Sequence, residues 1–179
     1  MGRIGPENLG RLFDEHAAAL VLFARQWCDA PEDIVQDAFV ALARQESEPD
    51  RAVAWLYRVV RNGAIAASRQ SRRRRHREQR SASRECDPAP GGSWFAAADD
   101  RIDAEHAARL LADLDGETRE VIVARLWGGL TFEEVARLQG CSLTTAHRRY
   151  QAGLARLHAR LEAQWESTKS TAATKSKTT

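Results

Sequence analysis

The chain has 179 residues, of which 43% are hydrophobic, and its formal net charge is +2. This length allows one medium domain or two small ones. No apolar stretch approaches the roughly 20 residues that a membrane-spanning helix needs, and the N terminus lacks the apolar core of a signal peptide. The three cysteines are widely separated, so they predict neither a disulfide framework nor a zinc site. We therefore expect a soluble, cytoplasmic protein without a metal or other cofactor.

The sequence predicts an all-α protein with two small helical domains joined by a flexible linker. Ala, Leu, Arg and Glu, which favour helices, are abundant, whereas β-branched residues are scattered. Residues 81–98 contain Pro88 and Pro90 and lack helical periodicity, which is typical of a linker. We expect helical domains at 8–80 and 102–164, a linker that includes Cys86 at 81–101, and a disordered tail rich in Ser, Thr and Lys at 165–179.

The first two predicted helices differ in their exposed surfaces. Apolar residues recur at helical spacing over residues 8–27, which predicts the first helix. Pro31 begins the second helix, with Asp29 as a candidate N-cap and carboxylates in the first turn, where the helix dipole favours them. The apolar side of this helix consists of Ile34, Val35, Ala38, Phe39 and Leu42. The other side is acidic and carries Asp33, Gln36, Asp37 and Arg44.

A third helix is predicted from about Arg51. Its apolar side consists of Trp55, Leu56, Val59, Val60 and Ile65, and its polar side of Arg58, Arg61 and Asn62. Glycine inside a helix costs up to about 1 kcal/mol relative to alanine. We therefore expect close packing or a partner contact at Gly63.

The same helix is predicted to continue into an arginine run at 69–80. Such a run cannot pack in a core, and a bound polyanion relieves its self-repulsion. A solvated or frayed tail is the alternative, but direct continuation from an aromatic-bearing helix favours nucleic-acid contact. Residues 1–48 contain nine acidic side chains and four arginines, whereas residues 51–84 contain eleven arginines and one acid, Glu78. This separation of charge indicates two different partners.

A helix-turn-helix is predicted over Thr131–Leu157. Thr131 and Glu134 have the spacing of a capping box, and Gly140 suits a turn that needs a left-handed residue. Ser142 or Thr144 can cap the second helix, whose inner side is expected to consist of Ala146, Tyr150, Gly153 and Leu157. The outward positions are those that a recognition helix presents to the major groove, namely Thr144, Thr145, His147, Arg148, Arg149 and Gln151. An ordinary helical hairpin with a basic face is the alternative, but the spacing of the small residues favours DNA binding.

Three segments carry motifs of a known family. Residues 31–42 read PEDIVQDAFVAL, residues 55–62 read WLYRVVRN, and residues 114–121 and 130–157 surround the helix-turn-helix. With these segments in this order and at this spacing, the chain resembles a bacterial RNA polymerase sigma factor of the extracytoplasmic-function (ECF) type, a two-domain branch of the sigma-70 family. The first segment is similar to the core-binding helix of that family, the second to its promoter-melting helix and the last two to its fourth-region domain.

This resemblance implies a non-enzymatic factor that directs promoter-specific initiation and assists strand opening. The implied partners are core RNA polymerase, through its largest-subunit coiled coil and its flap, promoter DNA and an anti-sigma factor. The coiled coil would be bound by Asp33, Gln36, Asp37 and Phe39. The −10 element would be bound by Trp55, Tyr57, Arg58, Arg61, Asn62, Arg69, Arg72 and Arg73. The −35 element would be read by Thr144, Thr145, His147, Arg148, Arg149 and Gln151.

Two other functions are weighed against this one. A two-domain helix-turn-helix regulator would bind operators without polymerase as an obligate partner, but it would not need the acidic second helix. A nuclease acting through Asp14, Glu15 and His16 is disfavoured because adjacent helical positions face different directions and no phosphate loop or metal-spaced cluster accompanies them.

Overall fold

The computed structural model describes the backbone of residues 2–80 and 109–175, with the side chains of residues 2–75, 109–163 and 165. Within this part of the chain every regular element is helical, as predicted, and residues 109–112 are also helical. The longer helices are α1 (Pro6–Ala24), α2 (Pro31–Ala43), α3 (Ala52–Arg80), α4 (Gly116–Leu126), α5 (Phe132–Gln139) and α6 (Leu143–Lys175). The predicted linker at 81–101, Cys86 and the expected start of the second domain at residue 102 lie outside the described residues.

Helices α1, α2 and α3 pack against one another and form the N-terminal unit. Pro6 and Pro31 each occupy the first turn of a helix, where a missing backbone N–H costs nothing. The interior contains fully buried aliphatic and aromatic side chains, including Leu20, Phe23, Val35, Leu42 and Leu56. These residues come from all three helices, so the unit is held together by contacts between segments that are distant in sequence.

Two details at the contact of α2 with α3 and at the start of α2 test the sequence predictions. The prediction of close packing at Gly63 is confirmed, because a methyl group there would lie 3.0 Å from Cγ2 of Ile34. The prediction of Asp29 as N-cap is wrong: Ala30 occupies that position and no side chain caps the helix. The carboxylate of Asp29 instead accepts a hydrogen bond from Arg75 at 3.0 Å, at an exposed site on α3.

Helices α4, α5 and α6 form the C-terminal unit. Asp115 caps α4, with its carboxylate accepting a hydrogen bond from the backbone N–H of Thr118 at 2.9 Å. Helix α6 crosses α4 at Gly153, where a methyl group would lie 2.8 Å from Thr118 Cγ2 and Ile122 Cγ1. The predicted inner position of Gly153 is therefore confirmed, and its lack of a side chain permits the close crossing.

The end of α6 differs from the prediction. A disordered tail is expected from residue 165, whereas the structure describes helix through Lys175. Alanine, glutamate and lysine in this segment have favourable helix propensity, which the interpretation based on its Ser and Thr content did not weigh. In the described residues, no helix is both long and apolar enough to span a membrane.

The two units are in direct contact. Helix α1 packs against α4, and α3 packs against α5. The buried residues consequently form one continuous cluster that runs from α1 through α3 to α4 and α5. Part of α3 is therefore covered by the C-terminal unit.

Candidate nucleic-acid and protein interfaces

The acidic side of α2 is an exposed surface, as its sequence pattern predicts. Asp33, Gln36 and Asp37 are all exposed, and Val40, 40% exposed, lies one helical turn further along the same side. Val40 was not among the predicted residues of this surface, although its spacing from Asp33 and Asp37 places it on that side. The surface is therefore acidic with a small apolar patch, a composition that fits a basic amphipathic partner.

Phe39 does not belong to this exposed surface. It is 5% exposed, and its ring meets that of Phe13 edge to face, with 5.0 Å between the ring centroids. Phe39 was predicted to contact a partner, but the apolar side of α2 faces the core and keeps this ring buried. Phe39 supports the acidic surface from beneath by fixing α2 on α1.

One side of α3 carries an exposed polar stripe. Positions spaced three or four residues apart share a helical side, and here they are Trp55, Arg58, Asn62, Ala66, Arg69 and Arg73. Trp55 is half-buried, whereas the following polar residues of the stripe are exposed. From Trp55 to Arg73 the stripe extends about 27 Å at 1.5 Å per residue. A rigid row of cations that begins with an aromatic ring suits a nucleic-acid strand. Arg72 is also exposed but lies beside this row.

Tyr57 lies inside the molecule, and its assignment as a base-contacting residue does not fit this position. It is fully buried, with its ring 4.9 Å from that of Phe23 between centroids. Burial raises the pKa of the Tyr57 hydroxyl, and this hydroxyl has no hydrogen-bond partner among the described residues. Because position 57 points away from the stripe, the ring serves the core and cannot stack on a base in this conformation.

Arg61 also faces away from the stripe and contacts the C-terminal unit. Its Nε donates a hydrogen bond to Oε1 of Glu120 at 2.5 Å, and its guanidinium lies 6.0 Å from the centre of the Trp27 ring. The Glu120 side chain is 3% exposed. Burial raises the pKa of the Glu120 carboxyl, despite the hydrogen bond and positive charge that Arg61 supplies.

The predicted helix-turn-helix is present. The capping box of Thr131 and Glu134 is complete, and Gly140 adopts the left-handed conformation with φ of 67°. Ser142 Oγ accepts a hydrogen bond from the backbone N–H of Thr145 at 3.1 Å, which identifies Ser142 as the cap of α6. Local signals in the sequence therefore define both ends of the turn.

Four predicted recognition residues lie on one exposed side of α6, namely Thr144, His147, Arg148 and Gln151. The ring of His147 also lies 4.8 Å from that of Phe132, which limits its rotation. Thr145 is half-buried, and its hydroxyl forms a hydrogen bond with the hydroxyl of Ser142, with 2.8 Å between the two oxygens. This leaves a compact polar surface at the N-terminal end of α6, where a recognition helix contacts bases.

Arg149 occupies a different position from its predicted one. Its guanidinium donates to Oε1 of Gln139 at 2.9 Å and to the carboxylate of Glu117. The side chain is 23% exposed and joins α6 to α4 and α5. In this arrangement Arg149 orients the recognition helix instead of extending from it.

Arg119 has a structural role that the sequence analysis missed. Its guanidinium donates hydrogen bonds of 2.8–2.9 Å to the backbone carbonyls of Leu111, Ala112 and Leu114. These carbonyls lie at and just beyond the end of the helical residues 109–112, and the Leu111 carbonyl also accepts a hydrogen bond from the backbone N–H of Leu114 at 3.1 Å. A basic residue soon after a helix end is the signal that could have predicted this contact.

Comparisons with known proteins agree with this geometry. The family pattern for Sigma-70 region 2 matches residues 12–74, and that for Sigma-70 region 4 matches residues 106–157. The RNA polymerase sigma factor CnrH of Cupriavidus metallidurans is 32% identical over 171 residues, which cover 88% of each chain. This chain belongs to the sigma-70 family, as an ECF sigma factor. It binds core RNA polymerase and promoter DNA and directs promoter-specific initiation.

Solved structures of sigma factors have a similar fold. The structure of CnrH in complex with the cytosolic domain of CnrY matches with a TM-score of 0.55 and 27% identity, over 89% of this sigma factor and 90% of that chain. The sigma factor RpoE of Bartonella quintana, in complex with the anti-sigma factor NepR, matches in fold with a TM-score of 0.57 and 22% identity, over 87% and 98% of the two chains. The match to Sigma-70 region 2 includes the acidic helix α2. The alternative hypothesis of an operator-binding regulator did not explain this helix.

Proposed function

We propose that the acidic side of α2 is the main site for core polymerase. Asp33, Gln36 and Asp37 would bind a basic coiled coil of the largest subunit, with Val40 adding apolar contact. The exposure of these residues on a rigid helix supports this role, because the carboxylates can meet cations without rearrangement. The flap would contact the C-terminal unit.

The stripe on α3 would bind the −10 element. Trp55 would stack on an unpaired base, a contact worth about 1–3 kcal/mol, while Arg58 and Asn62 make polar contacts beside it. Arg69, Arg72 and Arg73 would hold the phosphate backbone. Strand opening then needs no catalytic group, because binding of the open strand offsets the lost base stacking.

The exposed side of α6 would read the −35 element. Arg148 can pair with a guanine edge and Gln151 with an adenine edge, while Thr144 and His147 reach neighbouring polar groups. Arg149 would act indirectly, by fixing the angle of α6. The structural relative RpoE is bound to the anti-sigma factor NepR, and we propose that an anti-sigma factor regulates this sigma factor too.

The observation that carries the polymerase assignment is the exposed acidic surface of α2 beside the basic stripe of α3. The double change Asp33→Ala with Asp37→Ala is expected to weaken the complex with core polymerase on native gels by at least about tenfold, or 1.4 kcal/mol. The affinity of this double variant for DNA in the absence of polymerase should remain unchanged.

A control with the same loss of charge is Asp14→Ala with Glu15→Ala, since both residues are exposed on α1. This control should bind core polymerase as the unchanged protein does. Equal weakening by both double variants would mean that net charge, and not the α2 surface, determines binding.

A further inference from the structure

The loop between α2 and α3, residues 44–51, lies beside the aromatic end of the stripe on α3. The loop and the first turns of α3 line one cleft together, through Pro49, Asp50, Arg51, Trp55 and Arg58. The backbone N–H of Trp55 also donates a hydrogen bond of 3.0 Å to the carbonyl oxygen of Arg51, so the loop leads directly into α3. The position of the loop therefore decides what a DNA strand meets beside the Trp55 ring.

An N-terminal segment, residues 2–5, is bound to this loop. The backbone N–H of Glu48 donates a hydrogen bond of 3.1 Å to the carbonyl oxygen of Gly2. Ile4 is 8% exposed and belongs to the buried core, which fixes the segment in place. The N-terminal segment therefore connects the core to the middle of the loop.

A chain of side-chain hydrogen bonds reinforces this connection. Nη2 of Arg11 donates to Oδ1 of Asn8 at 2.7 Å, and Nδ2 of Asn8 donates to Oε1 of Glu48 at 2.9 Å. The Asn8 amide thus lies between a cation and an anion, with its oxygen towards the cation and its N–H towards the anion. Hydrogen bonds to charged groups are stronger than those between neutral groups, and both ends of this amide make one. A carboxylate at position 8 could still accept from Arg11, but it would repel Glu48.

The hydrogen bond between Asn8 and Glu48 is partly shielded from solvent. Both residues are half-buried, so water competes with their hydrogen bond less than it would at an exposed site. Both Asn8 and the N-terminal segment precede the match to Sigma-70 region 2, which begins at residue 12. This half of the connection is therefore not part of that family pattern.

We propose that Asn8 is a positioning residue for the −10 site and acts through Glu48. Together with the N-terminal segment, it holds the α2–α3 loop in place before a strand binds. This inference rests on the proposed role of α3 in binding the −10 element. Asn8 and Glu48 do not contact DNA in this role. They lower the loss of conformational entropy that ordering the loop beside Trp55 would otherwise require.

The test exchanges the donor and the acceptor of the hydrogen bond between Asn8 and Glu48. Asn8→Ala removes the donor, whereas Asn8→Asp keeps the size of the side chain and places a carboxylate against Glu48. The double variant Asn8→Asp with Glu48→Gln restores one donor and one acceptor in the opposite direction, and it keeps the net charge of the unchanged protein. The control is Ala18→Asp, which adds the same charge as Asn8→Asp at an exposed position of α1.

Three measurements follow each variant. Hydrogen exchange detected by mass spectrometry reports the order of residues 44–51 in the full-length protein. Native gels report the affinity for core polymerase. Permanganate oxidation of unpaired thymines reports the rate of strand opening by the holoenzyme, with a duplex fragment selected from a random pool by the holoenzyme of the unchanged protein as the probe.

Both Asn8 variants are expected to exchange faster in residues 44–51 and to open the fragment about tenfold more slowly, the change expected from losing a hydrogen bond to a charged group. The double variant should recover most of the opening rate, and Ala18→Asp should match the unchanged protein. The affinity for core polymerase should stay the same in every variant, because the acidic surface of α2 is intact.

Four results would each overturn the inference. These are unchanged hydrogen exchange of the loop in Asn8→Asp, a loosened loop without slower opening, failure of the double variant to rescue Asn8→Asp, and loss of core affinity in parallel with opening. The last result would show that Asn8 supports the whole N-terminal unit and not the loop.

Trp55→Ala separates this inference from the proposed role of α3. If α3 binds the −10 element, Trp55→Ala slows strand opening although Asn8 and Glu48 are intact. If Trp55→Ala opens the fragment at the unchanged rate, the −10 assignment of α3 fails. Hydrogen exchange of the Asn8 variants requires no DNA, so it still reports whether Asn8 holds the loop.

Discussion

The C-terminal unit places its functional side chains through local signals, whereas the N-terminal unit relies on contacts between distant helices. In α5 and α6, the capping box of Thr131 and Glu134 and the left-handed Gly140 fix the turn within ten residues. In α3, the side that stays exposed is decided by how Phe23 of α1 and Ile34 of α2 pack against Tyr57 and Gly63. A recognition helix can therefore be located from sequence more readily than the exposed side of a core-forming helix.

The largest expected effect is at Tyr57, where the non-local packing is concentrated. Tyr57→Ala should lower the free energy of unfolding by about 3–5 kcal/mol, because it leaves a cavity beside Phe23. Tyr57→Phe is the matched control and should be neutral or slightly stabilising, since the hydroxyl is buried without a partner among the described residues. Urea titration followed by circular dichroism measures the free energy of unfolding of both variants. A loss of stability in Tyr57→Phe would show that the hydroxyl has an essential partner.

The same contrast explains which features were predictable from sequence. Local spacing and helix propensity were enough to predict four features: the all-helical fold, the capping box, the turn at Gly140 and the continuation of α3 through the arginine run. The burial of Tyr57 does not, because a WLYR segment offers two aromatic rings and only tertiary packing decides which one turns inward. Asp29 had a suitable position for a cap, but the backbone at Ala30 begins the helix without it.

Within the candidate sites, ion pairs between helices were the least predictable contacts. Glu120 lies among apolar residues of α4, and an acid in such a position indicates a buried partner without identifying Arg61. Arg149 has the spacing of a base-reading residue, yet Glu117 lies 32 positions away in sequence and binds it. Periodicity assigns such residues to a side of a helix, whereas their partners depend on where another helix crosses.

The neighbouring arginines of α6 provide a sharper test within the C-terminal unit. Arg149→Ala should lower the free energy of unfolding by about 1.5–3 kcal/mol, because it removes hydrogen bonds to a charged group and to Gln139. Arg148→Ala changes an exposed side chain and should alter stability by less than about 0.5 kcal/mol. Urea titration checks stability, and promoter-fragment binding at fixed salt checks affinity.

Arg148→Ala is expected to weaken promoter binding although the protein stays stable. Arg149→Ala is expected to weaken promoter binding indirectly, because α6 is held less firmly against α4 and α5. Arg149→Lys should recover little of the lost stability or affinity, because lysine lacks the planar guanidinium that binds two acceptors at once. If Arg149→Ala left stability unchanged and impaired only DNA binding, Arg149 would be a direct DNA contact, as the sequence pattern suggested.

The smallest expected effect concerns the cap of α4 and its dependence on pH. The hydrogen bond from the backbone N–H of Thr118 holds the pKa of Asp115 below its ordinary value. A carboxyl whose pKa is lowered by folding stabilises the protein above its unfolded pKa, and this contribution is lost as pH falls through the folded pKa. Asp115→Asn keeps an acceptor at the cap but removes the charge, so it should cost about 0.5 kcal/mol at neutral pH through the helix dipole. The difference between Asp115→Asn and the unchanged protein should shrink between about pH 5 and pH 2, as measured by urea titration at each pH. A difference that stayed constant across this range would mean that the charge of Asp115 contributes nothing and that its hydrogen bond alone caps the helix.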